Sequence, residues 1–357
     1  MPLTQINQDR ITMLEATEVY EVPEDAISPP SYPIADAIEN ASDGDTIVLE
    51  DGDYSIGRIN ECAEGVTVMA RNRLKARIRA GEGDTISCMD GARLGEITFR
   101  GLFIEASRRS AVMTLSEKPP YRMNFRDTVI DGGYDHSTNT GRETKWGAMI
   151  HRWDGYMDNV SLQGIKREHG AYLHTMAGDC LIRNSRLKRN GRTGVQHAGR
   201  NNEAGYSPYQ MALVDVTVED NGLQDGGSGI TLGGCRSVYL ENIQSSIGAD
   251  GDFVARYMVN HPSKMKFSTG HLVNWDDLGR QDPVQEFEMV GENWFYSAPG
   301  TGASTNVKIN SADSLYVDGE LHVMRHSSLN AVEIAKGTAL SAGDGISLDV
   351  LGKVVFA

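Results

Sequence analysis

Imidazole, phenol and cationic side chains recur at matching places in neighbouring segments of the chain. The segments share a leading glycine and an alternating apolar run: Gly147-Ala-Met-Ile-His151, Gly170-Ala-Tyr-Leu-His174, Gly194-Val-Gln-His197 and Gly229-Ile-Thr-Leu-Gly233. Tyr172 precedes His174 by two residues, so both project from one face of a strand. Lys145 and Arg192 stand just before two of the runs. Such a set offers a base, an acid and a cation, which is what removal of a proton beside a carboxylate requires.

Each member of this set receives a predicted role. We predict His174 as the base, Tyr172 as the acid, His151 as an orienting group, and Lys145 or Arg192 as the cation that neutralises a carboxylate. The predicted substrate contacts are Arg152, Arg167, His169, Gln196 and Arg256. Stacked histidine and tyrosine on a sheet face can also be solvated residues without a chemical role, and the pattern leaves this alternative open.

A repeat must bring these distant residues together. The repeat is marked by Gly101, Asp127, Asn159, Asn184, Asp215 and Asn242, which follow one another at steps of 26, 32, 25, 31 and 27 residues. Units of this size with short apolar runs and turns indicate a solenoid. We predict an all-β, right-handed, single-stranded parallel β-helix with three short strands per coil. The Asn/Asp column fits a sharp bend between the second and third strands.

Aligning the first strand of each coil predicts which side chains face outward together. One predicted column contains Thr114, His151, His174, Ala198, Gly233 and Arg256, and another contains Val112, Met149, Tyr172, Gln196 and Thr231. Adjacent coils lie about 4.8 Å apart, so His151 and His174 should be neighbours. His197 falls at the inward position of Leu173 and is predicted to be a core residue.

The predicted organisation has three parts. Residues 1–33 are proline-rich and are predicted to form an arm or cap, residues 34–258 the β-helix, and residues 259–357 C-terminal β-strand coils or a cap. Helical spacing over residues 34–41 predicts a helix that caps the first coil. Polar insertions at 131–145 and 199–208 are predicted to wall a groove along the first strands.

Composition narrows the class of partner. The chain has 357 residues and a net charge of −15, which disfavours nucleic-acid binding. No stretch approaches 18 apolar residues, which argues against a membrane span, and no signal peptide is visible. Residues 142–200 contain 11 Lys/Arg and 5 Asp/Glu, a local charge of +6. A cationic zone on an acidic protein favours an anionic polymer as the partner.

Cysteine and aspartate patterns bear on metals and redox chemistry. The four cysteines Cys62, Cys88, Cys180 and Cys235 lack metal-ligand spacing and are predicted to be small buried hydrophobes. Four aspartates at turns before the later first strands are a candidate Ca²⁺ site: Asp220, Asp225, Asp250 and Asp252. Aspartate is also an ordinary turn former, and this interpretation is favoured, so no metal ligand is assigned.

A resemblance to a known family lies in the segment Ala37-Ile-Glu-Asn-Ala-Ser-Asp-Gly-Asp-Thr-Ile-Val-Leu-Glu-Asp-Gly-Asp-Tyr54. It resembles the opening of right-handed parallel β-helix proteins of the pectate-lyase-like superfamily, especially alginate lyases and chondroitinase-B-like lyases. The resemblance implies a polysaccharide lyase that cleaves an acidic, uronate-containing polysaccharide by β-elimination in a groove along the first-strand sheet. Several lyases of this superfamily use Ca²⁺, so calcium is an implied alternative.

Other members of the same superfamily supply the alternatives. Similar openings occur in phage tailspikes, and the proline-rich arm and alternating C-terminal strands favour a phage tail or surface carbohydrate-binding adhesin or depolymerase, as a homotrimer. Such a protein would be virion-associated, whereas a lyase would be secreted. A uronan epimerase is a third alternative, although the Asp-Pro-His-Asp signature of epimerases is absent. For hydrolysis, the best carboxylate pair is Glu168 with Asp225 or Asp252.

Overall fold

The computed structural model describes most of residues 34–247 and separate strands beyond them. The described residues are 20–23, 26, 34–79, 83–88, 93–114, 122–151, 153, 155–174, 180–198, 210–223, 229–233, 237–247, 264–266, 272–274, 286–297, 306–309, 314–324, 330–334, 339–342, 347–350 and 352–356. At His151 and His174 the description covers the backbone only.

One short helix and 36 strands make up the described secondary structure. The helix is α1 (Ile34–Glu39). The first strands are β1 (Thr46–Leu49), β2 (Gly52–Tyr54), β3 (Gly57–Arg58), β4 (Glu61–Cys62), β5 (Val66–Ala70), β6 (Ala76–Ile78), β7 (Asp84–Cys88), β8 (Arg93–Leu94), β9 (Glu96–Arg100), β10 (Phe103–Glu105), β11 (Ser110–Thr114), β12 (Arg122–Arg126), β13 (Val129–Asp131), β14 (Tyr134–Asp135) and β15 (Thr140–Gly141). The next are β16 (Trp146–His151), β17 (Gly155–Asp158), β18 (Ser161–Gln163), β19 (Ala171–His174), β20 (Cys180–Arg183), β21 (Arg186–Lys188), β22 (Val195–Ala198), β23 (Gln210–Val214), β24 (Thr217–Asn221), β25 (Ile230–Gly233), β26 (Ser237–Glu241) and β27 (Gln244–Ile247). The last are β28 (Lys264–Lys266), β29 (Leu272–Asn274), β30 (Glu286–Ser297), β31 (Asn306–Ile309), β32 (Ser314–Met324), β33 (Asn330–Ile334), β34 (Ala339–Ala342), β35 (Ser347–Val350) and β36 (Gly352–Phe356).

Three parallel rows of strands build the coils, which confirms the predicted parallel β-helix. The first-strand sheet is β3-β7-β11-β16-β19-β22-β25. The second-strand row is β1-β5-β9-β12-β17-β20-β23-β26, and the third-strand row is β2-β6-β10-β13-β18-β21-β24-β27. Parallel pairing continues through β30 and β32, which extend both rows, and β31, β33 and β36 pair in parallel with each other. The domain boundary at residue 258 stays a prediction.

The Asn/Asp column turns the chain between the second and third strands, as predicted. Positive φ angles of 51° to 55° occur at Asp127, Asn159, Asn184, Asp215 and Asn242. Asn and Asp tolerate this left-handed conformation better than most residues with a side chain. Residues of this column on adjacent coils are also hydrogen-bonded to each other. Asn159 Nδ2 donates to Asp127 Oδ1 at 2.8 Å, and Asn242 Nδ2 donates to Asp215 Oδ1 at 3.1 Å.

A continuous apolar core lies inside the coils. Ala148, Ile150, Ala171 and Leu173 are fully buried, because alternate residues of the first strands point inward. His197 is 2% exposed and is paired in register with Leu173, so its predicted core position is confirmed. Burial of apolar side chains along a solenoid stabilises each coil through its neighbours.

The register corrects one predicted alignment. Val112 pairs with Ala148 and Thr114 pairs with Ile150, so Val112 and Thr114 align with the inward positions and not with the outward columns. Met113 is the residue that pairs with Met149. The error was one residue, because β16 begins at Trp146 opposite Ser110, one position before the glycine used for the alignment, and a shift of one exchanges the faces of a strand.

Helix α1 buries Ile34, Ala35 and Ile38. Glu39 Oε1 accepts hydrogen bonds from the backbone nitrogen and side-chain amide of Asn60 at 2.8 and 2.9 Å. The helix therefore packs at the start of the described coils, and its role as a cap stays a prediction. Of the predicted arm or cap, residues 1–33, the structure describes residues 20–23 and 26.

The insertion at 131–145 contains the antiparallel hairpin β14–β15. The guanidinium of Arg142 donates to Glu105 at 2.7 Å, and His136 Nε2 lies 2.9 Å from the carbonyl oxygen of Ile165. These contacts tie the hairpin to the third-strand row, where Tyr134 and Asp135 line a cavity. Its position thus differs from the expected wall of a first-strand groove. The insertion at 199–208 lies outside the described residues.

Candidate functional site

A row of half-exposed side chains crosses the first-strand sheet. Met149, Tyr172 and Gln196 occupy consecutive strands in register, about 4.8 Å apart. Each is half-exposed, whereas their neighbours in sequence, such as Leu173, are buried. Alternation along the strands therefore places the predicted acid, Tyr172, and the predicted substrate contact, Gln196, side by side on the outer face.

A second group, the strand-start cluster, consists of Glu168, His169 and Arg192. The Arg192 guanidinium donates to Glu168 Oε2 at 2.8 Å, and the Arg192 backbone nitrogen donates to the Glu168 carbonyl oxygen at 3.0 Å. The His169 ring stacks on the ring of Tyr172, with centroids 5.2 Å apart and planes inclined by 19°. The cluster therefore supports the half-exposed phenol from the start of the strand.

His169 is held neutral by its surroundings. Burial, together with a smaller effect of the nearby Arg192 guanidinium, lowers the pKa of this imidazole to about 3. His169 Nδ1 accepts a hydrogen bond from the backbone nitrogen of Thr193 at 3.3 Å, which places the remaining ring proton on Nε2. A neutral imidazole with Nδ1 occupied serves as a support for Tyr172 rather than as a base.

The predicted cations differ in their availability. The Lys145 ammonium lies 4.0 Å from the centre of the Trp146 ring, and within the described part of the chain no carboxylate forms an ion pair with it. Arg192 is engaged by Glu168, and Arg167 by Glu143. The backbone nitrogen of Glu168 donates to the Lys145 carbonyl oxygen at 3.0 Å, so Lys145 adjoins the strand-start cluster. Among these cations, Lys145 is the one free to meet a carboxylate.

The predicted histidine pair lies at the other end of the same strands. His151 pairs in register with His174, so the backbone places them on adjacent coils as expected. Five residues of nearly extended chain separate His174 from His169, about 17 Å along the strand direction. Tyr172 lies between the two groups. Arg152 and Arg256, two predicted substrate contacts, lie outside the described residues.

Sequence reasoning undervalued Glu168. The sequence suggests a role for it only in hydrolysis, whereas in the structure it pairs with Arg192 and leaves that guanidinium unavailable to another carboxylate. The sequence signal for this pair was the turn Arg167-Glu168-His169, which lies one coil before Arg192. It places the acidic Glu168 and the basic Arg192 on adjacent coils. Sequence reasoning also missed a polar cavity over the third strands, although aligning those strands would have shown its floor.

The described residues test only part of the predictions about metal binding and cysteines. Within the part of the chain that the structure describes, no group of three or more His, Cys, Asp or Glu side chains is arranged to hold a metal ion. The side chain of Asp220 and all of Asp225, Asp250 and Asp252 lie outside it. Cys62, Cys88 and Cys180 are buried and form no disulfide among the described residues, as predicted, and burial together with nearby Glu64 raises the pKa of Cys62 to about 12. Cys235 lies outside the described residues.

The fold and the outer row define a class: a parallel β-helix that carries a polar face on its first-strand sheet. No family model matches the chain, and no curated protein matches it. No helix among the described residues is long and apolar enough to cross a membrane.

Several solved structures are similar to the chain at low identity. One is a mannuronic-acid-specific family 6 polysaccharide lyase from human gut microbiota, with 14% identity, a TM-score of 0.43, and coverage of 90% of this chain and 80% of that one. The pectate lyase Pel9A has 10% identity and a TM-score of 0.44, with 90% and 77% covered. An α-1,3-glucanase from Streptomyces thermodiastaticus has 12% identity and a TM-score of 0.39, with 94% and 70% covered.

Proposed function

We propose that the protein binds an acidic, uronate-containing polysaccharide across its first-strand sheet and cleaves it by β-elimination. The observation that carries the proposal is the placement of Tyr172. This phenol is half-exposed, stacked on a buried neutral imidazole, and followed two residues later on the same strand by His174. An acid and a base on one face, beside cations, match the needs of the reaction.

The proposed reaction assigns one proton transfer to each group. His174 takes the proton from C5 of the uronate, the electron pair forms the C4–C5 double bond, and the C4–O bond to the leaving sugar breaks. Tyr172 gives its proton to the departing oxygen. Both groups return to their starting states by exchange with water. His151, on the adjacent coil, orients His174.

Lys145 is the cation assigned to bind a uronate carboxylate of the polymer. Its ammonium has no carboxylate partner in the described structure, whereas Arg192 donates to Glu168 at 2.8 Å. A free ammonium can bind the carboxylate of a uronate unit that lies near the start of the strands. Arg192 instead holds Glu168 beside His169. The His169 ring in turn stacks on Tyr172 and supports it. About 17 Å separates the two ends of the strands, which is more than one sugar unit spans, so Lys145 would bind a different unit of the polymer from the one that reacts over Tyr172 and His174.

The test is incubation with alginate, polygalacturonate, chondroitin and hyaluronan while the ultraviolet absorbance of unsaturated products is recorded. We expect one polymer to give product, and Tyr172→Phe or His174→Ala to lower the rate by at least about 100-fold. Tyr156→Phe, a half-exposed tyrosine on the second-strand row, is the matched control and should retain the rate.

Lys145→Ala should also lower the rate, with Lys75→Ala as its control, because Lys75 lies on an exposed turn. New reducing ends without unsaturation would show hydrolysis and overturn the proposed chemistry. An active Tyr172→Phe variant would overturn the assignment of the acid.

A further inference from the structure

A cavity of about 440 Å³ lies over the third-strand row, away from the outer row of the first-strand sheet. We call it the third-strand cleft. Its volume falls within the range of about 300–1,000 Å³ that is typical of small-molecule sites. Asp131, Gln163 and Lys188 line it from the adjacent strands β13, β18 and β21, where they pair in register. Three polar side chains thus follow one another at steps of about 4.8 Å.

One wall of the third-strand cleft is preformed. The hairpin β14–β15 contributes Tyr134 and Asp135, and His136 and Arg142 anchor it. The Tyr134 ring contacts His136 edge-on, with centroids 4.8 Å apart, and lies 4.9 Å from the Lys166 ammonium. A wall fixed by these contacts on both sides needs little ordering when a ligand enters, which favours binding.

Lys188 differs from the other cations around the cleft. Arg189 pairs with Asp135 at 3.0 Å, Arg142 pairs with Glu105, and Arg186 pairs with Glu219. Lys188 is half-buried, and within the described residues no carboxylate lies at ion-pair distance from its ammonium. A partly desolvated charge without a partner is costly, and an anion bound in the cleft would offset that cost.

The end of the third-strand cleft away from Lys188 carries a carboxylate. Asp131 Oδ1 accepts a hydrogen bond from the backbone nitrogen of Gly133 at 2.9 Å, and in the described structure no cation forms an ion pair with this carboxylate. Gln163 lies between Asp131 and Lys188 and makes no hydrogen bond through its side-chain amide to another described residue. The floor therefore offers a cation, an amide and a carboxylate across about 10 Å.

The titration behaviour of the two charged groups agrees with this geometry. Burial lowers the pKa of Lys188, and Arg186 lowers it further. Burial raises the pKa of Asp131, against the opposing effects of the Gly133 amide and Arg142. Both groups are thus poorly solvated, and neither has an ion-pair partner among the described residues that would restore an ordinary pKa.

We propose that the third-strand cleft is a second binding site, which takes one hexuronate unit with its carboxylate on Lys188 and its hydroxyl groups on Gln163 and Asp131. A hexuronate carries one anionic group and several hydroxyl donors on a ring of the right size to lie over Gln163. Inorganic phosphate would satisfy Lys188 but offers Asp131 little hydrogen to donate. A neutral hexose would leave the ammonium without an anion.

Binding in the third-strand cleft does not require catalysis at the first-strand sheet. A hexuronate could reach the cleft as a free monosaccharide or as the end of a polymer. Titration calorimetry with galacturonate and glucuronate tests the first source, and the same titration with short oligouronides tests the second. Binding of the oligomer without the monosaccharide would assign the cleft to polymer ends. Glucose and inorganic phosphate are the comparison ligands.

The decisive variants alter the floor of the cleft. We expect Lys188→Gln and Asp131→Asn to weaken hexuronate binding by at least about tenfold, the loss expected for a hydrogen bond to a charged group. Lys188→Arg keeps the charge and should retain measurable binding. Lys75→Gln removes a cation from an exposed turn and should bind as the unaltered protein does.

Three outcomes would overturn the proposal. They are hexuronate binding unchanged in Lys188→Gln, glucose binding as tightly as hexuronate, and phosphate binding more tightly than either. A melting curve for each variant shows whether it is folded, and Gln163→Ala, a change at a half-exposed position, provides a second test if Lys188→Gln does not fold. Lys188→Gln should leave cleavage at the first-strand sheet unchanged, so failure of the cleft and failure of the lyase proposal can be told apart.

Discussion

Protonation of His169 should make the stability of the protein fall as the pH drops below about 6.5. The folded-state pKa is about 3, against an ordinary value of 6.5, because the ring is buried beside Arg192. Below pH 6.5 the unfolded chain binds a proton at this imidazole that the folded chain does not bind. Stability from this group is therefore complete above pH 6.5 and is lost as the pH falls toward 3. The shift of about 3.5 units corresponds to about 5 kcal/mol over the whole window.

The measurement is urea unfolding of the protein and of His169→Gln at pH 7.5 and pH 5. Between pH 6.5 and pH 5 the unaltered protein should lose about 2 kcal/mol more than the variant, since each pH unit is worth about 1.4 kcal/mol. His136→Gln is the control: this imidazole is less buried and hydrogen-bonds Ile165, so its removal should change the slope less. Parallel curves for the protein and His169→Gln would refute the buried neutral ring and its support of Tyr172.

Two further predictions concern the core and the third-strand cleft. Asn190→Ala should lower the free energy of unfolding by about 2–4 kcal/mol, because Asn190 is fully buried and its amide donates to Asn221 Oδ1 at 2.8 Å. Denaturant unfolding measures this loss. The control is Asn40→Ala at an exposed position, which should lower the free energy of unfolding by less than about 0.5 kcal/mol. The pKa of Lys188 lies below the ordinary lysine value of about 10.4. Hexuronate binding should weaken as the pH rises past this lowered pKa, because the ammonium loses its charge. Lys188→Arg stays charged and should keep its affinity over the same pH range. The charged groups that act on this ammonium are Arg186, Arg189, Glu219 and Asp131.

The repeat was predictable from the sequence because the backbone conformation of each coil restricts which residue types can occupy certain positions. A left-handed turn once per coil selects Asn, Asp or Gly, and the same turn recurs at Gly101, Asp127 and Asn159 with φ of 68°, 53° and 55°. Close approach adds a second signal. A Cβ on Gly170 would lie 2.7 Å from the Asn190 amide and 2.8 Å from the Gly194 carbonyl oxygen, so the corner before the first strand requires glycine. Both constraints act on single residues, and a sequence displays them directly.

Charge pairing was not predictable in the same way. Arg192 was predicted as a free cation from its position alone, but its availability depends on where the Glu168 carboxylate points. Lys188 shows the reverse case: it belongs to the cationic stretch from Arg183 to Arg189, and only the structure separates it from its paired neighbours. The periodicity assigns a residue to a coil and a face, whereas partners depend on side-chain reach and on inserted loops.

Position along the strand decides which chemistry the first-strand sheet can perform. The repeat brings residues of different coils together across the sheet, as His151 and His174 are paired. It cannot bring together residues at opposite ends of one strand, and about 17 Å separates His169 from His174. Tyr172 is the side chain that links the two ends, because its ring stacks on His169 while its backbone position lies two residues from His174. Under the proposed function, the sugar unit that reacts therefore lies over Tyr172 and His174, and Lys145, near the strand start, contacts another unit of the same polymer.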